Sequence, residues 1–174
     1  MSKAIILVGP MGAGKTTIGR QIAKSLGRDF FDSDKEIEIR TGASIPLIFE
    51  LESETGFRKR ETAMIKELLS KENIVLATGG GAILSKKNRS YMSEHGIVVY
   101  LCAPVDQLIR RTVKDKNRPL LQTSNPKKTI QDLLSKRDPL YRQVADIIFE
   151  TNGFTVRQVV SKLQKLLKSK LEPH

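Results

Sequence analysis

The chain has 174 residues, of which 39% are hydrophobic and 28% charged, with a formal net charge of +11. This length and composition predict one soluble globular domain over residues 1–174. No apolar run approaches the roughly 20 residues of a membrane helix, and we expect no signal peptide. The single cysteine, Cys102, excludes an internal disulfide, so we expect a reducing, cytoplasmic location.

The positive charge favours anionic partners: nucleotides, phosphorylated or carboxylated metabolites, or nucleic acid. Aromatic residues are only 5% and tryptophan is absent, which leaves few platforms on which bases could stack. The basic residues are also spread along the chain, as expected for solvated surface. We therefore expect small-molecule partners and no nucleic acid. We also expect no membrane association and a monomeric protein.

The first predicted strand is the apolar run 4–8, and a helix is predicted over 15–26 from apolar residues at helical spacing. The segment 9–16 between them matches G-x-x-x-x-G-K-[ST] at every fixed position. In such a loop, backbone N–H groups and the helix N-terminus form an anion site. Lys15 would reach the β- and γ-phosphates and the Thr16 hydroxyl would hold Mg²⁺. The alternative, a glycine-rich turn without ligand, does not require Lys-Thr after the last glycine.

The rest of the chain alternates strand-like and helix-like runs, which predicts parallel βαβ units and an α/β fold. The further predicted strands cover 29–32, 74–78, 97–102 and 146–150. The further predicted helices cover 34–41, 45–53, 56–71, 86–94, 105–114, 127–136 and 156–170. The charged, aperiodic segment at about 112–125 is predicted to be a mobile lid that covers a reaction from water.

Ligands of such sheets bind beyond the carboxyl ends of the strands, where Asp32-Ser33-Asp34 follows the second strand. Two acids in an extended segment project to the same side. Beside a triphosphate they could hold metal-bound water or accept a hydrogen bond from a substrate hydroxyl. Alternatively, Ser33 or Asp34 only caps the following helix.

Other segments carry further candidate site residues. The glycine run 79–81 lets backbone approach a ligand closely, or else makes a tight strand-to-helix connection. Arg58 and Glu61 share a helical face, where they could pair with each other or together grip a polyhydroxylated acid. Arg118 in the predicted lid could neutralise charge on a transferred phosphoryl group. Arg137 follows a predicted helix, and both Arg118 and Arg137 could also be surface charges.

Together these motifs resemble, in order and spacing, those of the shikimate kinase family. The matching segments between about residues 3 and 150 are Gly9-Pro10-Met11-Gly12-Ala13-Gly14-Lys15-Thr16-Thr17-Ile18-Gly19, Asp32-Ser33-Asp34, Phe57-Arg58-x-x-Glu61, Thr78-Gly79-Gly80-Gly81, Arg118-Pro119-Leu120-Leu121 and Arg137-x-Pro139-Leu140-Tyr141. The resemblance implies a P-loop, nucleoside-monophosphate-kinase-like fold of three layers around a five-stranded parallel sheet. It also implies transfer of the ATP γ-phosphoryl group to the 3-hydroxyl of shikimate, with Mg²⁺, in aromatic amino-acid biosynthesis.

The same resemblance implies roles for individual residues. The implied nucleotide-binding residues are Gly12, Ala13, Gly14, Lys15, Thr16, Thr17 and Arg118. Thr16 would also hold the metal, with Asp32 in the water shell of that metal. The implied substrate-binding residues, partly from a helical region at about 33–61, are Asp34, Phe49, Phe57, Arg58, Glu61, Gly79, Gly80, Gly81 and Arg137. The implied catalytic residues are Lys15, Asp34 as candidate base, and Arg118.

Some members of that family carry an arginine and a proline shortly after the last strand, where this chain has Thr151-Asn152-Gly153-Phe154-Thr155. The residues that contact adenine therefore stay open, with Arg110 and Arg157 as candidates. A kinase of another hydroxylated metabolite, such as gluconate, and a nucleotide kinase stay open as alternatives. A GTP-dependent switch is disfavoured because the motifs Asn-Lys-x-Asp and Asp-x-x-Gly are absent from the sequence.

Overall fold

A computed structural model describes residues 3–112 and 124–172. The strands are β1 (Ala4–Val8), β2 (Asp29–Asp32), β3 (Ile74–Ala77), β4 (Gly96–Cys102) and β5 (Ile147–Glu150). The helices are α1 (Lys15–Leu26), α2 (Ser33–Thr41), α3 (Ile45–Leu69), α4 (Lys86–His95), α5 (Val105–Thr112), α6 (Pro126–Val144) and α7 (Val156–Leu171), with a 3₁₀ turn at Ala82–Leu84.

The five strands form one parallel sheet in the order β2-β3-β1-β4-β5. Every residue of β1, β3 and β4 is buried because helices cover both faces of the sheet, as parallel sheets require. Ile6 and Val8 face a core shared with α2, α3, α4 and α6. Ile5 and Leu7 face a second core shared with α1 and α7. The predicted three-layer α/β fold is confirmed, and the strand ends differ from prediction by at most one residue.

Helix α3 contains the break that the sequence predicts between 45–53 and 56–71. Ser53 has φ 65° and ψ 178°, a conformation that costs a residue with a side chain about 1–3 kcal/mol. Arg60 Nε and Nη2 donate to the two oxygens of Glu52 at 2.7 and 2.6 Å and so bridge the break. The carboxyl half of α3 carries Arg58 and Glu61 toward the sheet.

Helix α6 is longer than predicted. The prediction ended it at residue 136 and placed Arg137 after a helix, which is wrong, because α6 continues to Val144 with Pro139 inside. Ile130, Arg137 and Tyr141 are buried on this helix. Their burial outweighs the roughly 3 kcal/mol that an interior proline costs.

Helix α7 starts at a defined cap, whereas the predicted lid lies mostly outside the described residues. Thr155 caps α7, as the capping box with Gln158 shows. The predicted lid at about 112–125, with Arg118, falls mainly on residues outside those that the structure describes. Within 3–112 and 124–172, no helix has the length and apolarity needed to span a bilayer.

Candidate active site

The segment between β1 and α1 forms a loop around the N-terminus of α1. Gly12 and Gly14 have φ of 82° and 95°, a region that favours glycine. A Cβ built on Gly9 would lie 2.6 Å from the carbonyl oxygen of Leu101, so a side chain there would displace the loop. Lys15 Nζ donates to the carbonyl oxygens of Gly9 and Pro10 at 2.6 and 2.8 Å. The loop is therefore closely packed, with its lysine held over it.

Asp32 links this loop to α2. Its Oδ1 accepts hydrogen bonds from the backbone N–H groups of Asp34 and Lys35 at 3.0 and 3.2 Å. Its Oδ2 accepts one from Thr16 Oγ1 at 2.8 Å. The helix cap is thus Asp32 rather than Ser33 or Asp34. Asp34 lies in the first turn of α2, so the expectation of an extended segment with two parallel acids is wrong.

The glycine run after β3 gathers charged side chains from three helices. A Cβ built on Gly79 would lie 2.8 Å from Asp34 Oδ1 and 3.0 Å from Glu61 Oε2. A Cβ built on Gly81 would lie 2.6 Å from Cζ of Arg58. Side chains at these positions would therefore occupy the space in which the carboxylates and the guanidinium meet.

Gly80, the middle glycine, faces the phosphate loop and α6 together. A Cβ built on it would lie 3.3 Å from Arg137 Nη1, 3.5 Å from the backbone nitrogen of Met11 and 3.6 Å from the carbonyl oxygen of Gly9. The glycine run thus lies where the anion cradle meets the buried arginine of α6.

Arg58 and Glu61 pair with each other, which is one of the two alternatives that the sequence leaves open. Arg58 Nη1 donates to Glu61 Oε1 at 2.9 Å, and Arg58 Nη2 lies 3.2 Å from Glu54 Oε1. Glu61 is only 1% exposed. Burial raises the pKa of its carboxyl to about 7, Arg58 opposes that rise, and Asp34 adds to it. Glu61 Oε2 has no hydrogen-bond partner within the described residues, so this buried pair is unlike an ordinary surface salt bridge.

Two aromatic rings stand beside the arginine. Phe49 and Phe57 have ring centroids 5.0 Å apart in a tilted arrangement. The guanidinium carbon of Arg58 lies 5.2 Å from the centroid of Phe57, within cation–π range. The predicted substrate-binding residues of α3 therefore form one contiguous apolar and basic wall.

Some predicted residues stand apart from this group. Thr17 is exposed on α1. Arg110 and Arg157 are exposed on α5 and α7, and in the described part of the chain no hydrogen bond or ion pair ties either to the phosphate loop. Arg118 lies outside the described residues.

The structure adds two residues for which the sequence reading gave no role. Arg111 Nη1 donates to the carbonyl oxygen of Gly12 at 3.0 Å, and nothing local distinguishes it from Arg110. Tyr141 Oη donates to the carbonyl oxygen of Gly80 at 2.5 Å. Tyr141 ends the motif that begins at Arg137, and its place in that motif was the only sequence signal that it belongs near the site.

Comparison with known proteins agrees with this geometry. The family model for shikimate kinase matches residues 11–168. A shikimate kinase from Nitrosococcus oceani is 57% identical over 164 residues, which cover 94% of this chain and 86% of that protein.

Solved structures give the same result. A shikimate kinase from Acinetobacter baumannii in complex with shikimate superposes with a TM-score of 0.94 at 55% identity, covering 99% of this chain and 97% of the other. A shikimate kinase from Aquifex aeolicus superposes with a TM-score of 0.84 at 34% identity, covering 96% and 97%. A family match over most of the chain, relatives above half identity and a near-identical fold lead to one conclusion: this chain belongs to the shikimate kinase family.

Proposed function

We propose that this protein transfers the γ-phosphoryl group of ATP to the 3-hydroxyl of shikimate, giving shikimate 3-phosphate and ADP. One observation carries the proposal. Gly80 lies against both the phosphate loop and Arg137, which supports an anion cradle with acid-binding and hydroxyl-binding side chains next to it. A phosphoryl donor and a carboxylated, hydroxylated acceptor would fit on the two sides of Gly80.

On the donor side, the backbone of Gly12, Ala13 and Gly14 and the N-terminus of α1 would hold the phosphates, with help from Thr17. Lys15 would leave the two loop carbonyls that it contacts and reach the β- and γ-phosphate oxygens. This exchange replaces neutral acceptors with anionic ones, which strengthens the hydrogen bonds of the ammonium group. Lys15 would then stabilise the charge that spreads over the transferred group.

Thr16 and Asp32 suit a magnesium ion that accompanies the nucleotide. A hydroxyl and a carboxylate oxygen already meet there at 2.8 Å, and oxygen donors are the ligands that Mg²⁺ prefers. Within the described residues no three His, Cys, Asp or Glu side chains could hold a metal together, so phosphate oxygens and water would complete its shell. When held there, Mg²⁺ would supply positive charge that offsets the negative charge of the phosphates.

On the acceptor side, Arg58 and Arg137 would hold the carboxylate, since guanidinium groups bind carboxylates through paired hydrogen bonds. Phe49 and Phe57 would contact the ring. Asp34 would accept a hydrogen bond from the 3-hydroxyl, orient it toward the γ-phosphorus and take its proton as transfer proceeds.

The remaining roles fall to Glu61, the glycine run and Arg118. Glu61 would fix the orientation of Arg58, and Gly79, Gly80 and Gly81 would line the pocket with backbone. Arg118, on the predicted lid, would add positive charge beside the transferred group. We further propose that the chain acts as a single-domain cytoplasmic monomer. Size-exclusion chromatography with light scattering would test the oligomeric state.

The deciding experiment is ADP release by the purified protein with Mg·ATP and each of shikimate, gluconate and the nucleoside monophosphates. Of these acceptors, we expect only shikimate to be turned over, with one shikimate 3-phosphate formed per ADP released. Faster turnover with another acceptor would overturn the assignment. Lys15→Met should abolish transfer, whereas Lys24→Met, on the last turn of the same helix α1, should leave it unchanged.

A further inference from the structure

Tyr141 is a buried tyrosine for which the proposed reaction has no role so far. It lies on α6 and is 1% exposed. Its hydroxyl donates to the carbonyl oxygen of Gly80 at 2.5 Å. Its ring packs on Tyr100 with centroids 4.8 Å apart and planes inclined at 34°. The ring thus has a packing partner, while the hydroxyl points to the middle of the glycine run.

The same hydroxyl also faces Arg137, which precedes Tyr141 by four residues and therefore shares its face of α6. Burial raises the pKa of the Tyr141 hydroxyl, and the neighbouring Arg137 guanidinium opposes that rise through its charge and a hydrogen bond. The phenol oxygen thus holds the backbone of Gly80, which in turn lies beside the guanidinium of Arg137, a proposed carboxylate-binding side chain.

Gly80 needs an anchor because three successive glycines leave the backbone unusually free to rotate. Its neighbours on either side are the phosphate loop, through Met11 and Gly9, and the guanidinium of Arg137. A rotation of this peptide would therefore alter the spacing between the donor and acceptor halves of the site. Reaction rates depend steeply on that spacing.

We propose that Tyr141 is a positioning residue for phosphoryl transfer, whose hydroxyl fixes the Gly80 carbonyl and the Arg137 guanidinium relative to the phosphate loop. The inference rests on the proposed function and adds a residue to it. The hydroxyl acts through Gly80 and Arg137 and does not touch the reacting atoms.

The chain offers a matched control in Tyr100. Its hydroxyl donates to Asp138 Oδ1 at 2.6 Å, while its ring packs on that of Tyr141. Tyr100→Phe and Tyr141→Phe therefore delete the same group from the same pair of rings. Only the second deletion removes a contact with the glycine run.

The test compares steady-state kinetics and melting temperature for the wild type and both variants. Tyr141→Phe should raise the shikimate KM about tenfold, as loss of about 1.4 kcal/mol in hydrogen bonding implies, and lower kcat, with the ATP KM within about twofold. Tyr100→Phe should keep the kinetic constants of the wild type even if its melting temperature falls. Equal shikimate KM values for the two variants would overturn the inference.

A double mutant separates positioning from general loosening of the fold. If Tyr141 acts through Arg137, Tyr141→Phe should raise the shikimate KM less in an Arg137→Ala background than in the wild type. If the shikimate KM of the double mutant equals the product of the two single effects, Tyr141 does not act through Arg137. Wild-type turnover of shikimate is measured first, because its absence refutes the proposed function, whereas an active wild type with two equivalent tyrosine variants refutes only the role of Tyr141.

A measurement on the wild type covers the case in which Tyr141→Phe does not fold. The chain has three tyrosines, so ¹³Cζ labelling gives three signals, assigned with Tyr91→Phe and Tyr100→Phe. Saturating shikimate should shift the Tyr141 signal more than the Tyr100 signal. A Tyr141 signal that stays in place would contradict the inference.

Discussion

Glu61 is the buried carboxyl whose ionisation we expect to affect the stability of the fold. Its pKa is raised from an ordinary value of 4.5 to about 7, chiefly by burial. The folded state therefore binds this proton more tightly than the unfolded state, and stability falls as pH rises through the interval between the two values. Since one pKa unit corresponds to about 1.4 kcal/mol, the loss between pH 5 and 8 is about 2 to 3 kcal/mol.

Urea unfolding of the wild type and Glu61→Gln across pH 5 to 8 isolates this contribution. The wild-type free energy of unfolding, relative to that of the variant, should decrease by about 2 to 3 kcal/mol as pH rises, because only the wild type can lose this proton. Glu67→Gln is the control, because Arg40 lowers the pKa of the exposed Glu67. Titration of Glu67 should therefore increase the free energy of unfolding as pH rises, and at more acidic pH than for Glu61. A difference between wild type and Glu61→Gln that is constant or grows with pH would refute the reasoning.

Three further substitutions test the site. Arg137→Ala should raise the shikimate KM far more than the ATP KM, whereas Arg142→Ala, at an exposed position of the same helix, should change neither; equal increases would argue against a carboxylate clamp. Gly81→Ala should displace the flexible end of the Arg58 side chain and leave the fold intact. We therefore expect a shikimate KM about tenfold higher and an almost unchanged melting temperature; a large loss of stability would disprove this expectation. Thr16→Ala should raise the half-saturating Mg²⁺ concentration at least about tenfold. An unchanged Mg²⁺ midpoint would show that the Thr16 hydroxyl does not hold the metal.

The parts of the fold that the sequence predicts well are those decided by neighbouring residues. The phosphate loop follows from its glycines and the strands follow from short apolar runs. The break in α3 follows from two separately predicted helices, 45–53 and 56–71. The parallel sheet then follows because parallel strands need helical crossovers, whereas the strand order is known only from the structure. The candidate site residues near the carboxyl ends of β1, β2 and β3 were predicted for the same reason.

The errors arise where distant residues decide. Pro139 is a local signal for ending a helix, but burial of Tyr141 and Arg137 against other elements keeps α6 intact. Asp32 caps α2 while also accepting a hydrogen bond from Thr16, sixteen residues earlier, which no local pattern reveals. The contact between Arg111 and Gly12 likewise depends on how α5 packs beside the loop.

In the proposed site, the glycine run 79–81 limits how the pocket could be adapted to other acceptors. Positions 79–81 already lack side chains, so nothing there remains to be trimmed, and additions would strike Asp34, Arg137 or Arg58. With the proposed binding mode, room for a bulkier ring would have to come from Phe49 and Phe57, the paired aromatic side chains of α3. Directed evolution toward new acceptors should therefore randomise α3 and leave the glycines untouched.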